Sequence, residues 1–349
     1  MERVGGVLVG QLGGGAEDGG GGHDVSLECE GLLRTSAGLM GRSTGPARPC
    51  KNFRTNSEQA NGGVVNIHDW WTEGDRAPLG FSGSEHQIFC RSLGSGPSMT
   101  LLHGFPSSSH DWAGIAAPLS ADHALLMPDL LGFGASDKPV GHTYSIHEQA
   151  DLVEALWDRE GITETTLVTH DYADTVAQEL LARRAVGGLA VDIVELYLLN
   201  GGIYPDLHRP EPIQVALLDP EQGPSISAAI TPELTAQALQ PTFAPGFDST
   251  GAAQDAWIAN SRDHVNLHEL ITYITDRQVH ERRWVEALES TDVPLTFVWG
   301  MLDPISGAHM IERVHERIPH ATVIELTEVG HWPAIEAPDA VVAAVTSAQ

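Results

Sequence analysis

Between residues 86 and 345, short apolar runs alternate with stretches of helical period, and this alternation most constrains the fold. Strands are expected at His86–Ser92, Ser98–Leu102, Ala124–Pro128, Thr165–Thr169, Ile193–Leu199, Leu295–Trp299 and Thr322–Leu326, each bounded by Gly, Pro, Asp or Ser. Ile146, Ala150, Val153 and Trp157 recur on one face of a helix near 146–159. Val176, Leu180 and Leu181 do so after Asp174, Met310, Val314 and Ile318 mark another helix, and Val341, Val342 and Val345 a last one. Strand and helix in turn imply an α/β fold, a mostly parallel sheet with helices on both faces.

Residues 203–285 interrupt the pattern. They hold eight prolines, with helical pieces around Ala252–Asn260 and Leu267–Asp276. Strand signals stop at Leu199 and resume at Leu295, so this stretch reads as a helical cap inserted between two strands of one sheet. The expected division is a core of 65–202 and 286–349, a cap of 203–285, and a head of 1–64. Of the 37 glycines, 16 lie in the head, which has little apolar periodicity, so disorder is expected there. The head carries no phosphate-loop lysine. A further expectation is that it is no part of the working protein, which N-terminal sequencing of the native chain checks.

Charge narrows the partners. The chain carries 19 basic and 47 acidic residues, a net charge of −28, nearly all of it outside the head. Such a surface repels nucleic acid and anionic membranes. Cys29, Cys50 and Cys90 are widely spaced and form no C-x-x-C pair, which fits a reducing compartment. No apolar run reaches the length of a membrane span, and the start lacks a secretory apolar segment. The expectation is a cytoplasmic protein; its oligomeric state is left open. The 17 histidines include no H-E-x-x-H, so neither metal nor cofactor is expected.

Four strand ends carry loops that chemistry can use: Leu102-His103-Gly104-Phe105-Pro106, Thr169-His170-Asp171-Tyr172-Ala173, Trp299-Gly300-Met301-Leu302-Asp303-Pro304 and Val329-Gly330-His331-Trp332-Pro333. With Asp129-Leu130-Leu131-Gly132-Phe133-Gly134, Asn200-Gly201-Gly202-Ile203-Tyr204-Pro205 and Arg282-Arg283-Trp284-Val285, they make the chain resemble the α/β hydrolase superfamily. Within it the likeness is to the haloalkane dehalogenase and epoxide hydrolase group, and most of all to the mesoderm-specific-transcript type. It covers about residues 85–345, cap included.

The resemblance implies a nucleophile, an acid and a histidine in that chain order, here Asp171, Asp303 and His331. Thr169 and Ala173 are small enough for the tight turn around Asp171, where glycine is more usual. No G-x-S-x-G occurs, so a serine nucleophile has no place. An aspartate is ionised at neutral pH and can attack an electrophilic carbon directly, forming an ester. His331 would then activate water, Asp303 would orient the imidazole, and the backbone N–H groups of Phe105 and Tyr172 would form an oxyanion hole.

The leaving group separates the readings. Dehalogenases place Trp after the nucleophile and often Asn after His-Gly, where this chain has Tyr172 and Phe105. Epoxide hydrolases commonly show His-Gly-Phe-Pro and protonate the opened oxygen from cap tyrosines, for which Tyr204 and Tyr273 are the candidates. Epoxide opening is the preferred reading, on a small apolar-to-neutral substrate with water as co-substrate. A dehalogenase of the same mechanism and a non-catalytic ligand-binding protein are the alternatives. The bland roles are also open: Asp171 as a helix N-cap, Asp303 as a turn residue, Tyr204 and Tyr273 as packing, Asp174 as a helix-dipole residue, and Trp70, Trp71 and Trp112 as core or surface packing.

Overall fold

A computed structural model describes residues 65–347. The glycine-rich head, with Cys29 and Cys50, lies outside the described residues.

All seven expected strands form, and an eighth precedes them. They are β1 (Asp75–Phe81), β2 (Ser84–Leu93), β3 (Ser98–Leu102), β4 (Ala124–Pro128), β5 (Glu164–His170), β6 (Asp192–Leu199), β7 (Leu295–Gly300) and β8 (Thr322–Leu326). They make one sheet in the order β1-β2-β4-β3-β5-β6-β7-β8. β2 runs antiparallel to β1 and to β4, and every other pairing is parallel.

β1 escapes the sequence pattern because Pro78 and Gly80 break it. Pro78 is tolerated because β1 is an edge and its partner does not need it. Opposite it, the N–H of Gln87 donates to Asp137 Oδ2 at 2.7 Å and its C=O accepts from Asp137 N at 2.9 Å.

Successive residues of the central strands feed two cores. Leu167, Leu196 and Leu198 pack on one face with Trp157, Val176 and Leu180. Val168, Tyr197 and Leu199 pack on the other with Trp112, Ile115 and Val341. Burial on both faces is what a parallel sheet between two helical layers requires. The Ile146–Glu160 helix shows how firmly the sequence sets its ends. Ser145 Oγ accepts from Glu148 N at 3.1 Å at its start, and Gly161 closes it at φ 69°. Its four expected face residues are all buried.

Between β6 and β7 lie the helices Pro212–Leu218, Gly223–Ala228, Pro232–Leu239, Thr250–Ser261, Leu267–Leu270 and Tyr273–Ser290. The prolines that read as breakers start helices instead. Pro212 and Pro232 occupy first-turn positions, where a missing N–H removes no bond. The last helix runs straight across the expected 285/286 boundary and packs on the Tyr172–Ala185 helix. Arg283 and the Trp284 indole both reach Glu179 on that helix, each at 2.8 Å.

Candidate active site

The sheet order places the chemistry. The chain leaves β3 for β4 on one side and returns to β5 on the other, so the loops after β3 and β5 open a crevice at the carboxyl edge. Phe105 stands on the first loop and Asp171 on the second. Their parent strands are hydrogen-bonded neighbours, with Leu102 opposite Thr169.

Asp171 has φ 48°, a conformation uncommon outside glycine, at the turn from β5 into the Tyr172–Ala185 helix. The strain sits on Asp171 itself, so Ala173 can stand where glycine is usual. Asp171 occupies the N-cap position, yet its side chain caps nothing in that helix. Its Oδ2 accepts instead from Phe105 N–H at 3.1 Å. Gly104 permits this approach, since a Cβ there would lie 2.9 Å from the Asp171 Cβ and 2.8 Å from His170 Nδ1. The Tyr172 N–H, first of the helix, has no intrahelical partner. The Tyr172 side chain is buried edge-on to Phe133 and Tyr273.

His331 and Asp303 are joined. His331 Nδ1 meets Asp303 Oδ2 at 2.8 Å, leaving Nε2 as the ring nitrogen for chemistry. Asp303 does more than turn the chain. Its Oδ2 also accepts from Asn200 Nδ2 at 3.0 Å, and its Oδ1 accepts from Ile305 N at 2.7 Å. Burial alone would raise the Asp303 pKa, but the His331 charge and these donors hold it below the ordinary carboxylate value. Burial likewise works against the His331 cation. Attraction to Asp303, the bond to it and the further charge of Asp171 outweigh burial and bring the imidazole up to about 9.

Two flanking histidines stay neutral. Burial and the neighbouring His331 push His170 down to about 4, and His170 Nε2–H donates to the His331 carbonyl at 2.8 Å. Burial and the Arg277 charge push His208 down to about 3. Beneath the elbow, Asp174 is wholly buried and accepts from Thr169 Oγ1 at 2.5 Å. Burial, with the repulsion of Asp171, holds it well above the carboxylate range. Asp174 does stand in the first turn of its helix, but as a buried group bonded back to the strand through Thr169.

The two tyrosines part company. Tyr273 is buried close to Asp171, its ring centroid 4.9 Å from that of Tyr172 and 5.8 Å from that of Phe105. Tyr204 is not at the site, a correction to the expectation. Its ring lies beneath Arg313 at 5.4 Å, and the charges around its hydroxyl are Glu289, Arg317 and Arg313. Ile203 and Tyr204 lie in the loop that follows β6, and the buried tyrosine ring packs under Arg313 of the Ala308–Arg317 helix.

Arg277, Asn200 and His208 join the site without having been expected there. Arg277 is 1% exposed. It donates through Nη2 to the Asp171 carbonyl at 3.1 Å and through Nε to Thr175 Oγ1 at 2.6 Å. One signal existed: Arg277 follows Tyr273 by four residues, on the same helix face. Asn200 also carried one, as a polar residue directly after a strand. His208 had none.

The helices between β6 and β7 contribute the substrate space. A cavity of about 70 Å³ reaches the site through Phe105 and His331 and is otherwise mainly aliphatic, with Ile213, Leu217, Ile226 and Ile230 among its walls. The same helices grip the histidine loop. The Thr242 carbonyl accepts from His331 N–H at 2.8 Å, and its hydroxyl accepts from the Trp332 indole at 2.7 Å.

A mostly parallel eight-stranded sheet, an acidic side chain on a strained strand-to-helix elbow, and a His–Asp pair on later strand ends define an α/β-hydrolase fold. The chain belongs to the alpha/beta hydrolase family, which it matches over residues 101–344. It is 39% identical over 289 residues to the mesoderm-specific transcript homolog protein of Bos taurus, covering 78% of this chain and 84% of that one. It is 24% identical over 265 residues to a cis-3-alkyl-4-alkyloxetan-2-one decarboxylase of Shewanella oneidensis, covering 71% and 80%. Among solved structures it is similar to the haloalkane dehalogenase DatA from Agrobacterium tumefaciens C58. That likeness has a TM-score of 0.63 at 18% identity and covers 78% of this chain and 95% of that one. Among the described residues, no helix is long and apolar enough to cross a membrane.

Proposed function

We propose that the protein hydrolyses small, largely apolar electrophiles through a covalent ester on Asp171, and that strained oxygen rings, epoxides first, are its substrates. The single observation that carries this reading is the placement of the Asp171 carboxylate. It caps no helix, and its Oδ2 sits on the Phe105 N–H, the donor that would later hold the ester's oxyanion.

In the first step Asp171 Oδ1 attacks a ring carbon. The C–O bond breaks, and the electron pair goes to the ring oxygen, which takes a proton from Tyr273. The second step needs a base. In the resting protein the charges of Asp303 and Asp171 favour the His331 imidazolium. Ester formation removes one of those charges and so lowers the His331 pKa toward the neutral base the step requires. Neutral His331 then takes a proton from water through Nε2. The hydroxide adds to the ester carbonyl, and collapse of the adduct frees Asp171 and a diol.

The leaving-group choice rests on donors. Dehalogenases hold the departing halide with side-chain N–H groups at two positions that in this chain are Tyr172 and Phe105, which leaves Arg277 as the side-chain N–H donor beside Asp171. The oxetanone named for the Shewanella relative is a strained oxygen ring with alkyl arms, and the aliphatic cavity suits such arms.

The test uses the His331→Gln variant, in which water activation is disabled and the ester accumulates. Incubation with terminal epoxides should add the epoxide mass to the peptide that carries Asp171. Labelling by 1-bromoalkanes alone would favour the dehalogenase reading. No adduct from either panel, with ligand binding intact, would point to a non-catalytic binding protein.

A further inference from the structure

Three buried polar atoms around Asp171 have no hydrogen-bond partner among the described residues: Arg277 Nη1, Tyr273 Oη and His208 Nε2. An unmade bond on a buried donor costs about 1–3 kcal/mol, and more on a charged one, so three in one place call for an explanation. They share a wall. A Cβ on Gly202 would overlap Arg277 Nη1 and come within 3.0 Å of His208 Cδ2, so the missing side chain makes room for both. The Arg277 Cζ lies 4.5 Å from the Tyr273 ring centroid, and the Tyr273 hydroxyl is within the influence of that charge.

Charge conservation gives the arrangement a purpose. Arg277 Nη2 stands 3.6 Å from Asp171 Oδ1, and both side chains are almost wholly buried. When Asp171 becomes an ester its charge vanishes, and a buried guanidinium is left without its counter-ion, a costly state. The charge has moved to the departing atom. A leaving group that stays attached as an oxyanion can meet Arg277 within the same site.

We propose that Arg277 is a catalytic residue that takes the transferred charge: Nη1 hydrogen-bonds the ring oxygen of a strained oxygen heterocycle as it opens, while Tyr273 protonates that oxygen and His208 closes the wall behind it. This rests on the ester reading above. The atoms balance. The ring C–O bond breaks as the Asp171 Oδ–C bond forms, and the Tyr273 proton passes to the ring oxygen. The resulting tyrosinate is held by Arg277. After the ester has formed, the His331 imidazolium of the resting protein returns a proton to the tyrosinate; the neutral His331 so made then takes one from water, which restores the imidazolium, for a net addition of one water. Burial and the Asp171 charge hold the Tyr273 proton tightly in the resting protein, whereas Arg277 loosens it. Ester formation removes the Asp171 contribution and leaves that of Arg277, so donation becomes easier as the bond to carbon forms. His208 is neutral and adds no cation to compete.

The experiment times ester formation by intact mass in a His331→Gln background, with 1,2-epoxyhexane and 1-bromohexane as probes. Adding Arg277→Met should slow the epoxide adduct by about 100-fold, the usual loss for one oxyanion donor, and the bromide adduct by less than about 10-fold, since bromide takes no proton. Arg277→Lys keeps the charge and should fall between. Guanidinium ion should restore epoxide opening in Arg277→Ala, and this arm decides the matter if bromohexane is inert. Equal slowing of both probes without guanidinium rescue, in variants whose melting temperatures are unchanged, makes Arg277 structural and overturns the proposal. So does an unchanged epoxide rate. The failure of the underlying ester reading shows separately, as no adduct in His331→Gln itself.

Discussion

At the residue scale, the site depends on how three carboxylates are treated. Asp171, Asp174 and Asp303 are all buried, and their surroundings assign them different work. Asp303 has His331, Asn200 and a backbone N–H, and stays ionised. Asp174, where burial and the repulsion of Asp171 outweigh the Thr169 hydroxyl, is held well above the carboxylate range. The charge on His331 records this. Nuclear magnetic resonance of the imidazole should give a midpoint near 9 in the resting protein. Asp171→Asn and Asp303→Asn should each move that midpoint down, since each removes an anion that favours the cation, and a midpoint that stays put would refute the linkage. The same sign governs stability. The His331 contribution is fully present below about pH 6.5, the unperturbed histidine value, and is lost as pH rises through about 9. Asp171, Asp303 and His331 were legible because each ends a strand in a recognisable loop. Arg277 and His208 were not, because they come from the insertion, Arg277 on its last helix and His208 on the loop before its first, and reach Asp171 only across space.

At the element scale, the helix that returns from the insertion to β7 is clamped to the helix that follows Asp171. Glu179, 1% exposed, accepts from Arg283, from the Trp284 indole and from Arg183, the last at 2.9 Å. Burial would raise its pKa, but these donors outweigh it and bring it down to about 2. Glu179→Gln should destabilise the protein by about 1–2 kcal/mol in urea unfolding, because Arg283 loses its counter-charge while Arg183 keeps Asp151 and Glu154. It should also flatten the acid limb of stability. The Glu179 contribution is present above about pH 4.5 and is lost as pH falls toward 2. A variant that unfolds at the wild-type urea midpoint would show that the clamp adds nothing. Elements with strong period were readable in advance. β1 was not, since Pro78 and Gly80 break its pattern while the edge position excuses them. The helices at Pro212 and Pro232 were hidden because proline ends a helix in its interior but begins one at its first turn.

At the scale of the whole molecule, the strand ends of the sheet carry Asp171, Asp303 and His331, and the inserted helices line most of the cavity beside them, so the proposed reaction would take its substrate range from those helices. The aliphatic wall of the cavity comes largely from Ile213, Leu217, Ile226 and Ile230, while Phe105 and His331 come from the core. Ile226→Trp should therefore shorten the longest alkyl epoxide accepted. KM for the longer homologues should rise by about 10-fold or more, with little change for the shortest, since each methylene that a pocket refuses is worth about 1–3 kcal/mol. A uniform change across chain lengths would show that the alkyl arm lies elsewhere.

The sequence by itself determined the α/β architecture, the strand ends and the chain order of Asp171, Asp303 and His331, because strand and helix periods and tight turns are written in neighbouring residues. Only the tertiary structure decided that Tyr273 and not Tyr204 stands by Asp171, that Asp171 caps no helix, and that Arg277 and His208 stand beside it. Those facts depend on how segments remote in sequence, above all the Tyr273–Ser290 helix, fold back over a strand end. A buried charge reveals its partner only when the chain is closed around it.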